Sequence, residues 1–332
     1  MSETRTLLTD TADRLFAAVA ADPDALFAEV WPAIAEAGFE SLLLGEEEGG
    51  FGGDWGDLFA VARLAGAHAL PAPVGEAAVA AWALARAGLA PSEGLATIAP
   101  VVDGRLENGR FTGGLRGTPW GRAAETVVAT YAGSLLRLRT ADAQVEQGHS
   151  PMGEPRDVLT FDAATAETAP SDIDLFACGA FLRTAQIAGA LDAALAASIA
   201  YANDRVQFGK PISKFQTVQQ NLAIFATEAA AVNSAGQAAA RAADVGDAGF
   251  EFAAAKLRAN AAAGQGAALA HQVHGAIGFT QEHPLHRLTR RLVGWRSEFG
   301  GDRFWAQQLG RRVADLGPEG LWPELARRSD AA

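Results

Sequence analysis

The sequence predicts an α+β protein, mainly α: an N-terminal helical domain, a small central β domain and a C-terminal four-helix bundle. Three observations carry this. From Thr6 to Ala90, apolar residues recur at three- and four-residue spacing, the helical period. From about Ser92 to Pro170, short apolar or alternating runs are separated by Gly, Asp and Asn, as in small sheets. From Asp172 onward helical spacing returns in long, alanine-rich runs whose small side chains permit close helix approach. The expected boundaries are 1–91, 92–170 and 171–332.

Taken in order, "TADRLFAAVA" and "LFAEVWPAIAEAGF" give two amphipathic helices, with Asp22 as a candidate cap for the second. "LLLGEEEGGFGGDWGD" interrupts them, because the glycines from Gly49 to Gly56 call for turns. Helix resumes over Asp57–Ala69, and "LPAPVGE" leads into "AAVAAWALARAG". "LATIAPVV", "GRLENGRFTGGLRG", "ETVVATYAG", "SLLRLRT" and "DVLTFD" read as strands, with Asn108-Gly109 as a hairpin turn. Helices are then expected over Leu175–Asn203, Gln216–Ala240, Glu251–His274 and Phe304–Leu316.

Composition excludes several function classes. A net charge of -12 gives no basic footprint for nucleic acid. The single cysteine, Cys178, permits neither an intrachain disulfide nor a cysteine metal cluster, and its apolar surroundings predict a buried thiol. The N-terminal residues carry early acids and no apolar signal core, and no run reaches membrane-spanning length without interruption. A cytoplasmic protein with no membrane span is therefore expected. Basic residues are 24 Arg against 3 Lys, and Arg suits bidentate contact with phosphate or carboxylate.

Three stretches carry candidate chemistry. "YANDRVQFGKPISKFQTVQQNLA" breaks a helical run at Gly209 and Pro211. It leaves Arg205 at one helix end, Phe208 beside it and Gln216 near the start of the next helix. There an amide and unpaired N–H groups can meet phosphate; the alternative is a packed inter-helix turn. "HQVHGAIGFTQEHPLHRLTRR" ends a helix at Gly275 and Gly278. Its histidines lack metal-ligand spacing, so no metal is expected. In "RRLVGWRSEFGGDRFW", Glu298 precedes a Gly-Gly break and reads either as an exposed charge or as a buried general base.

Together these stretches resemble the acyl-CoA dehydrogenase family across nearly the whole chain, with "FESLLLGEEEGGFGGDWGDLFAVARLAGAHALPAP" resembling its N-terminal helical segment. The resemblance implies an FAD enzyme with the cofactor at a subunit interface. In such enzymes a glutamate removes the α-proton of an acyl-CoA, and the β-hydrogen passes as hydride to flavin N5. It implies that Arg205 contacts the FAD pyrophosphate, that Phe208 lies against the adenine end and that Gln216 fixes that half. Gln272, Gly275 and Gly278 would approach the pyrophosphate from a neighbouring subunit. Trp120 is implied as an isoalloxazine neighbour with Arg122 as a polar partner, and Glu298 as the base. The implied partners are an acyl-CoA substrate, an electron-transfer flavoprotein or similar acceptor, and further subunits, alike or unlike.

The chain also departs from the family pattern. The middle domain is short, and "ATIAPVVDG" stands where a T-E-P-x-x-G-S-D-like loop usually covers flavin and substrate. "GAIG" has Ala276 in place of a second glycine. Counting without gaps from Arg290 and Arg291 places Phe299 at the usual glutamate position, with Glu298 one residue before it. The other family position for the base, on the long helix before Arg205, holds Gly179, with Asp174 five residues away. Those departures motivate two alternatives: a noncatalytic or half-site partner of an unlike subunit, and a binding module that retains the fold.

Overall fold

The computed structural model describes residues 3–22 and 25–330. They form two compact units, Met1–Ala62 with Leu70–Leu182, and Arg63–Ala69 with Arg183–Ala332.

In the first unit, α1 (Glu3–Val19) buries Ala12 and Phe16 on one face, and α2 (Phe27–Glu36) buries Val30 and Ile34. This i, i+4 spacing is the helical stripe expected from the sequence. The cap of α2 is Leu26, whose N–H donates to Glu29 Oε2 at 3.1 Å; Asp22 does not serve. Gly49 and Gly52 take positive φ in the following loop, whereas Gly56 already lies inside α3 (Trp55–Ala67). Arg5 pairs with Asp54 and Asp57, linking α1 to the start of α3. Helix α4 (Val74–Arg86) is almost wholly buried.

Two four-stranded sheets follow. One orders β1 (Ala96–Ile98), β4 (Thr126–Tyr131), β5 (Ser134–Arg139) and β8 (Glu167–Pro170). The other orders β2 (Val101–Glu107), β3 (Arg110–Pro119), β7 (Arg156–Thr165) and β6 (Ala143–Glu146). "LATIAPVV" is thus two strands in two sheets, divided around Pro100, a residue with no N–H to give a ladder. Asn108 and Gly109 both take positive φ between paired Glu107 and Arg110, the two-residue hairpin expected. Phe111, Leu115, Leu159 and Phe161 of one sheet share a core with Val127, Ala129, Leu136 and Leu138 of the other.

Helix α5 (Leu175–Asp204) begins under an Asp174 cap, whose Oδ1 accepts from Ala177 N at 2.9 Å. By length and composition α5 is apolar enough to cross a membrane, a run the sequence reading does not anticipate. Several of its apolar side chains are packed inside: Phe181, Leu182, Ile187 and Leu191 have no exposed area, while Ile199 is exposed.

In the second unit, β9 (Val206–Gln207) and β10 (Lys210–Pro211) form a small hairpin before α6 (Gln216–Asp244). Then come α7 (Gly249–His274), α8 (Leu285–Trp295) and α9 (Asp302–Asp330), the last kinked at Gly317 before Pro318. Residues 63–67 of α3 cross α5 at backbone contact. A Cβ on Gly189 would overlap the Arg63 carbonyl oxygen, and one on Gly66 would overlap that of Gln186. Neither obstacle is a flexible side chain. Gly189→Ala is therefore expected to destabilise the protein by about 1–3 kcal/mol, read as a lower thermal midpoint. An unchanged midpoint would contradict the tight crossing.

Candidate functional site

Arg205 directly follows α5. Its N–H donates to Tyr201 O at 2.9 Å, and its carbonyl accepts from Ile212 N at 2.8 Å. The backbone between closes as a β-hairpin whose turn is Phe208-Gly209, with φ of 50° and 79°. Pro211 belongs to the returning strand and not to the turn. The bulky Phe208 is held in the left-handed region, an uncommon conformation for a non-glycine residue, and is 93% exposed. Its ring meets the edge of Phe215, with centroids 6.2 Å apart, while Lys210 Nζ lies 4.4 Å from the Phe215 ring centre.

Gln216 is the first residue of α6 and is exposed. No side chain caps this 29-residue helix, and the first ladder bond runs from Gln219 N to Phe215 O. The N–H groups of its first turn thus carry partial positive charge toward the surface. The Arg205 side chain makes no hydrogen bond or ion pair among the described residues. Ser213 Oγ in the same segment is buried without a partner. A free guanidinium, an open helix N-terminus, an orphaned hydroxyl and a projecting aromatic ring fit the diphosphate and base of an adenine dinucleotide.

The segment from Gln272 to Gly278 meets the same end of α5. Gly275 ends α7 at φ 65° and ψ -146°, and Tyr201 stacks on His274 with centroids 4.6 Å apart. His274 is buried and, apart from a 2.9 Å contact of Nδ1 with Ala270 O, leaves Nε2 without a partner. Burial lowers its pKa first, with contacts to His283 and His271 adding to this and Ala270 opposing it. Gly278 is buried where a Cβ would lie 3.0 Å from His274 Cβ and 3.1 Å from Leu285. That glycine is needed for close packing of the turn on α7 and α8. Gln272 and Gly275 are exposed. Among the described residues no group of three or more His, Cys, Asp or Glu could hold a metal.

Glu298 lies in the loop between α8 and α9. Its Oε2 accepts from Arg183 Nε at 2.7 Å, where the Arg183 side chain is 1% exposed and that of Glu298 17%. Arg183 also donates to Gln186 Oε1 at 2.7 Å and lies over the Phe299 ring at 5.2 Å. Glu298 is thus neither an exposed charge nor an isolated base; it is the counter-ion of a buried guanidinium. Arg183 lies 21 residues before Asp204, the last residue of α5, about 30 Å along a helix axis at 1.5 Å per residue. Glu298 therefore meets α5 at its ninth residue, whereas the Arg205 hairpin follows its last.

Trp120 and Arg122 belong to the other unit. Trp120 is buried at φ 56°, packed on Phe27 at 4.6 Å in a cluster with Ala77, Leu95 and Ala124. The Arg122 guanidinium is held by buried Asp157, with Nη2 to Oδ1 at 2.5 Å. Asp174 is taken up in capping α5.

Sequence reasoning does not single out Arg183, Gln186, Lys256 or Asn260. The available signals are a lone Arg in the apolar run "FACGAFLRTAQIAGAL" and one of only three lysines inside an alanine-rich helix. Lys256 has no exposed area, and burial first, then Arg183, push its ammonium down to about 7, against the opposing pull of Glu298 and Asp302. Below pH 7 folded and unfolded chains both carry this proton, and the cost of burying it is fully present. Between about pH 7 and 10.5 the unfolded chain holds the proton that the folded chain has released, so stability rises with pH. The expected slope from this residue is up to about 1.4 kcal/mol per pH unit. Urea unfolding of the native protein and of Lys256→Met at several pH values checks this; equal slopes would contradict it.

The family model for the acyl-CoA dehydrogenase C-terminal domain matches residues 173–313. Acyl-CoA dehydrogenase IpdE2 of Mycobacterium tuberculosis is 29% identical over 270 residues, covering 80% of each chain. Acyl-CoA dehydrogenase FadE34 of the same organism is 31% identical over 328 residues; the match takes in 90% of this chain and 45% of FadE34. In fold, the chain resembles one in the crystal structure of the ChsE4-ChsE5 complex from Mycobacterium tuberculosis. There the TM-score is 0.84 at 23% identity, over 95% of this chain and 98% of that one.

Proposed function

We propose, since the chain belongs to the acyl-CoA dehydrogenase family, that its Arg205 hairpin holds the adenosine diphosphate half of FAD and that Glu298 takes the α-proton of an acyl-CoA thioester. The protein is an FAD-dependent acyl-CoA dehydrogenase. FAD, when bound, supplies the acceptor for the β-hydrogen.

In this reading Arg205 forks onto the diphosphate, and the first-turn N–H groups of α6 with the Gln216 amide complete the anion contact. Phe208 covers the adenine face, and Gln272, Gly275 and Gly278 of a neighbouring subunit approach the pyrophosphate. Glu298 takes the proton beside Arg183, whose Nε donates to one of its two carboxylate oxygens, Oε2. Arg183 then remains as the buried cation beside the newly protonated acid.

The single observation that carries the proposal is the uncapped α6 terminus with Arg205, unpaired among the described residues, and Phe208, 93% exposed, beside it. Separation of this hairpin from Glu298 along α5 supports sites completed by a second subunit. The three segments 1–91, 92–170 and 171–332, a cytoplasmic location and an electron-transfer flavoprotein as acceptor belong to the same proposal. Titrating the apoprotein with FAD tests it: saturable quenching of flavin fluorescence is expected, and no binding by any assembled form would contradict it.

One observation favours a second reading, that of a half-site partner of an unlike subunit: the only glutamate near the family position is held in an ion pair with buried Arg183. The ChsE4-ChsE5 complex contains two differently named chains. Co-expression with an unlike family member separates the readings. Full flavin content and turnover of the chain alone favour the first, and acquisition of both only in the mixed assembly favours the second.

A further inference from the structure

The loop that carries Glu298 has an unusual backbone. Phe299 takes φ 51° and Gly300 φ 97°, and a Cβ on Gly300 would run into the Trp305 indole. A left-handed phenylalanine persists only where its surroundings over-determine it. Here they do so from one side through a single buried amine. Lys256 Nζ, on α7, donates to Trp295 O at 2.9 Å and reaches Gly300 O at 3.3 Å and Arg296 O at 3.4 Å. Its remaining contact is Asn260 Oδ1 at 2.5 Å, and Asn260 Nδ2 itself donates to Gly300 O at 3.3 Å. From the other side, Trp305 Nε1 donates to Phe299 O at 2.9 Å.

We propose that Lys256 is the positioning residue for Glu298: by holding the last carbonyls of α8 and the carbonyl of Gly300, it fixes both ends of the loop and sets where the carboxylate stands. This rests on the reading of Glu298 as the base. Trp295 and Arg296 would otherwise leave α8 with unsatisfied C-terminal carbonyls. An ammonium at the negative end of the helix dipole is the favoured partner for them. Lys256 makes no hydrogen bond to Glu298 among the described residues; it grips the backbone on both sides of the carboxylate.

The charged groups around Lys256 are Arg183 from α5, Arg296 and Glu298 from the loop, and Asp302 from α9. None of these four is a histidine. A change of the loop near pH 7 would therefore report Lys256, whose ammonium is pushed down to about 7.

The experiment uses the flavin-loaded assembly, Lys256→Met, Lys256→Arg and Glu298→Gln. It reads kcat and KM for flavin reduction by an acyl-CoA, together with the indole N–H resonance of Trp305. Lys256→Met is expected to lower kcat at least about tenfold with KM little changed and to shift the Trp305 resonance, and Lys256→Arg to recover part of both. If Lys256→Met is folded by circular dichroism yet keeps kcat and the resonance while Glu298→Gln loses turnover, the positioning role is overturned and the function stands. Full turnover by Glu298→Gln overturns both. Should Lys256→Met fail to fold, the native protein decides: the Trp305 resonance is expected to move with a midpoint near pH 7, and a flat response overturns the proposal.

Discussion

Glu298→Gln is expected to lower flavin reduction by an acyl-CoA by about 10²- to 10⁴-fold, the usual worth of a positioned general base, while leaving FAD bound. The amide keeps an oxygen facing Arg183 Nε, so the 2.7 Å contact can persist in neutral form and the fold should survive. Glu298→Ala differs in kind. It leaves the Arg183 guanidinium, 1% exposed, without its carboxylate. Removing one partner of a buried ion pair costs about 3–5 kcal/mol, so the alanine variant should lose stability as well as activity. Comparing the two separates the chemical role from the structural one. Equal melting behaviour with equal turnover loss would show that Arg183 does not depend on Glu298. Undiminished flavin reduction by the glutamine variant would remove Glu298 from the chemistry.

Arg205→Ala is expected to weaken FAD binding about 10- to 100-fold, corresponding to the roughly 1.5–3 kcal/mol of a hydrogen bond to a charged group. The side chain is exposed and makes no hydrogen bond or ion pair among the described residues, so stability without cofactor should hardly change. That contrast makes the variant diagnostic, because an arginine kept for packing or for the helix dipole would show the opposite pattern. Phe208→Ala should act in the same direction and more weakly, and it removes an apolar ring that is 93% exposed. Unchanged FAD affinity in Arg205→Ala, or a lower melting point with affinity intact, would contradict the assignment.

The fold was legible because its signals are local. Helical spacing locates α5, α6 and α7 to within a few residues, and Asn108-Gly109 dictates the turn between β2 and β3. At Arg205, sequence alone indicates a break between helices but not a hairpin, since Phe208 and not Pro211 takes the turn conformation. Glu298 illustrates the limit more sharply. Its partner Arg183 stands 115 residues away in sequence, so nothing near "RSEFGG" announces an ion pair. Likewise Lys256 looks like a solvated charge on an alanine-rich helix until α8 and α9 enclose it. Long-range pairing of charges is decided by packing, and helical period does not encode it. Apolar composition alone also misleads at α5, where a run suited to a bilayer is a core helix instead.

The central claim is that this chain holds FAD through the Arg205 segment and uses it to oxidise an acyl-CoA. Anaerobic addition of acyl-CoA thioesters to the purified, FAD-loaded assembly, followed by visible absorbance, tests it most directly. The account predicts bleaching of the flavin band by at least one thioester class, with the α,β-unsaturated thioester as product. A protein that stays free of flavin, or a bound flavin that no thioester reduces either alone or with an unlike partner, would contradict it.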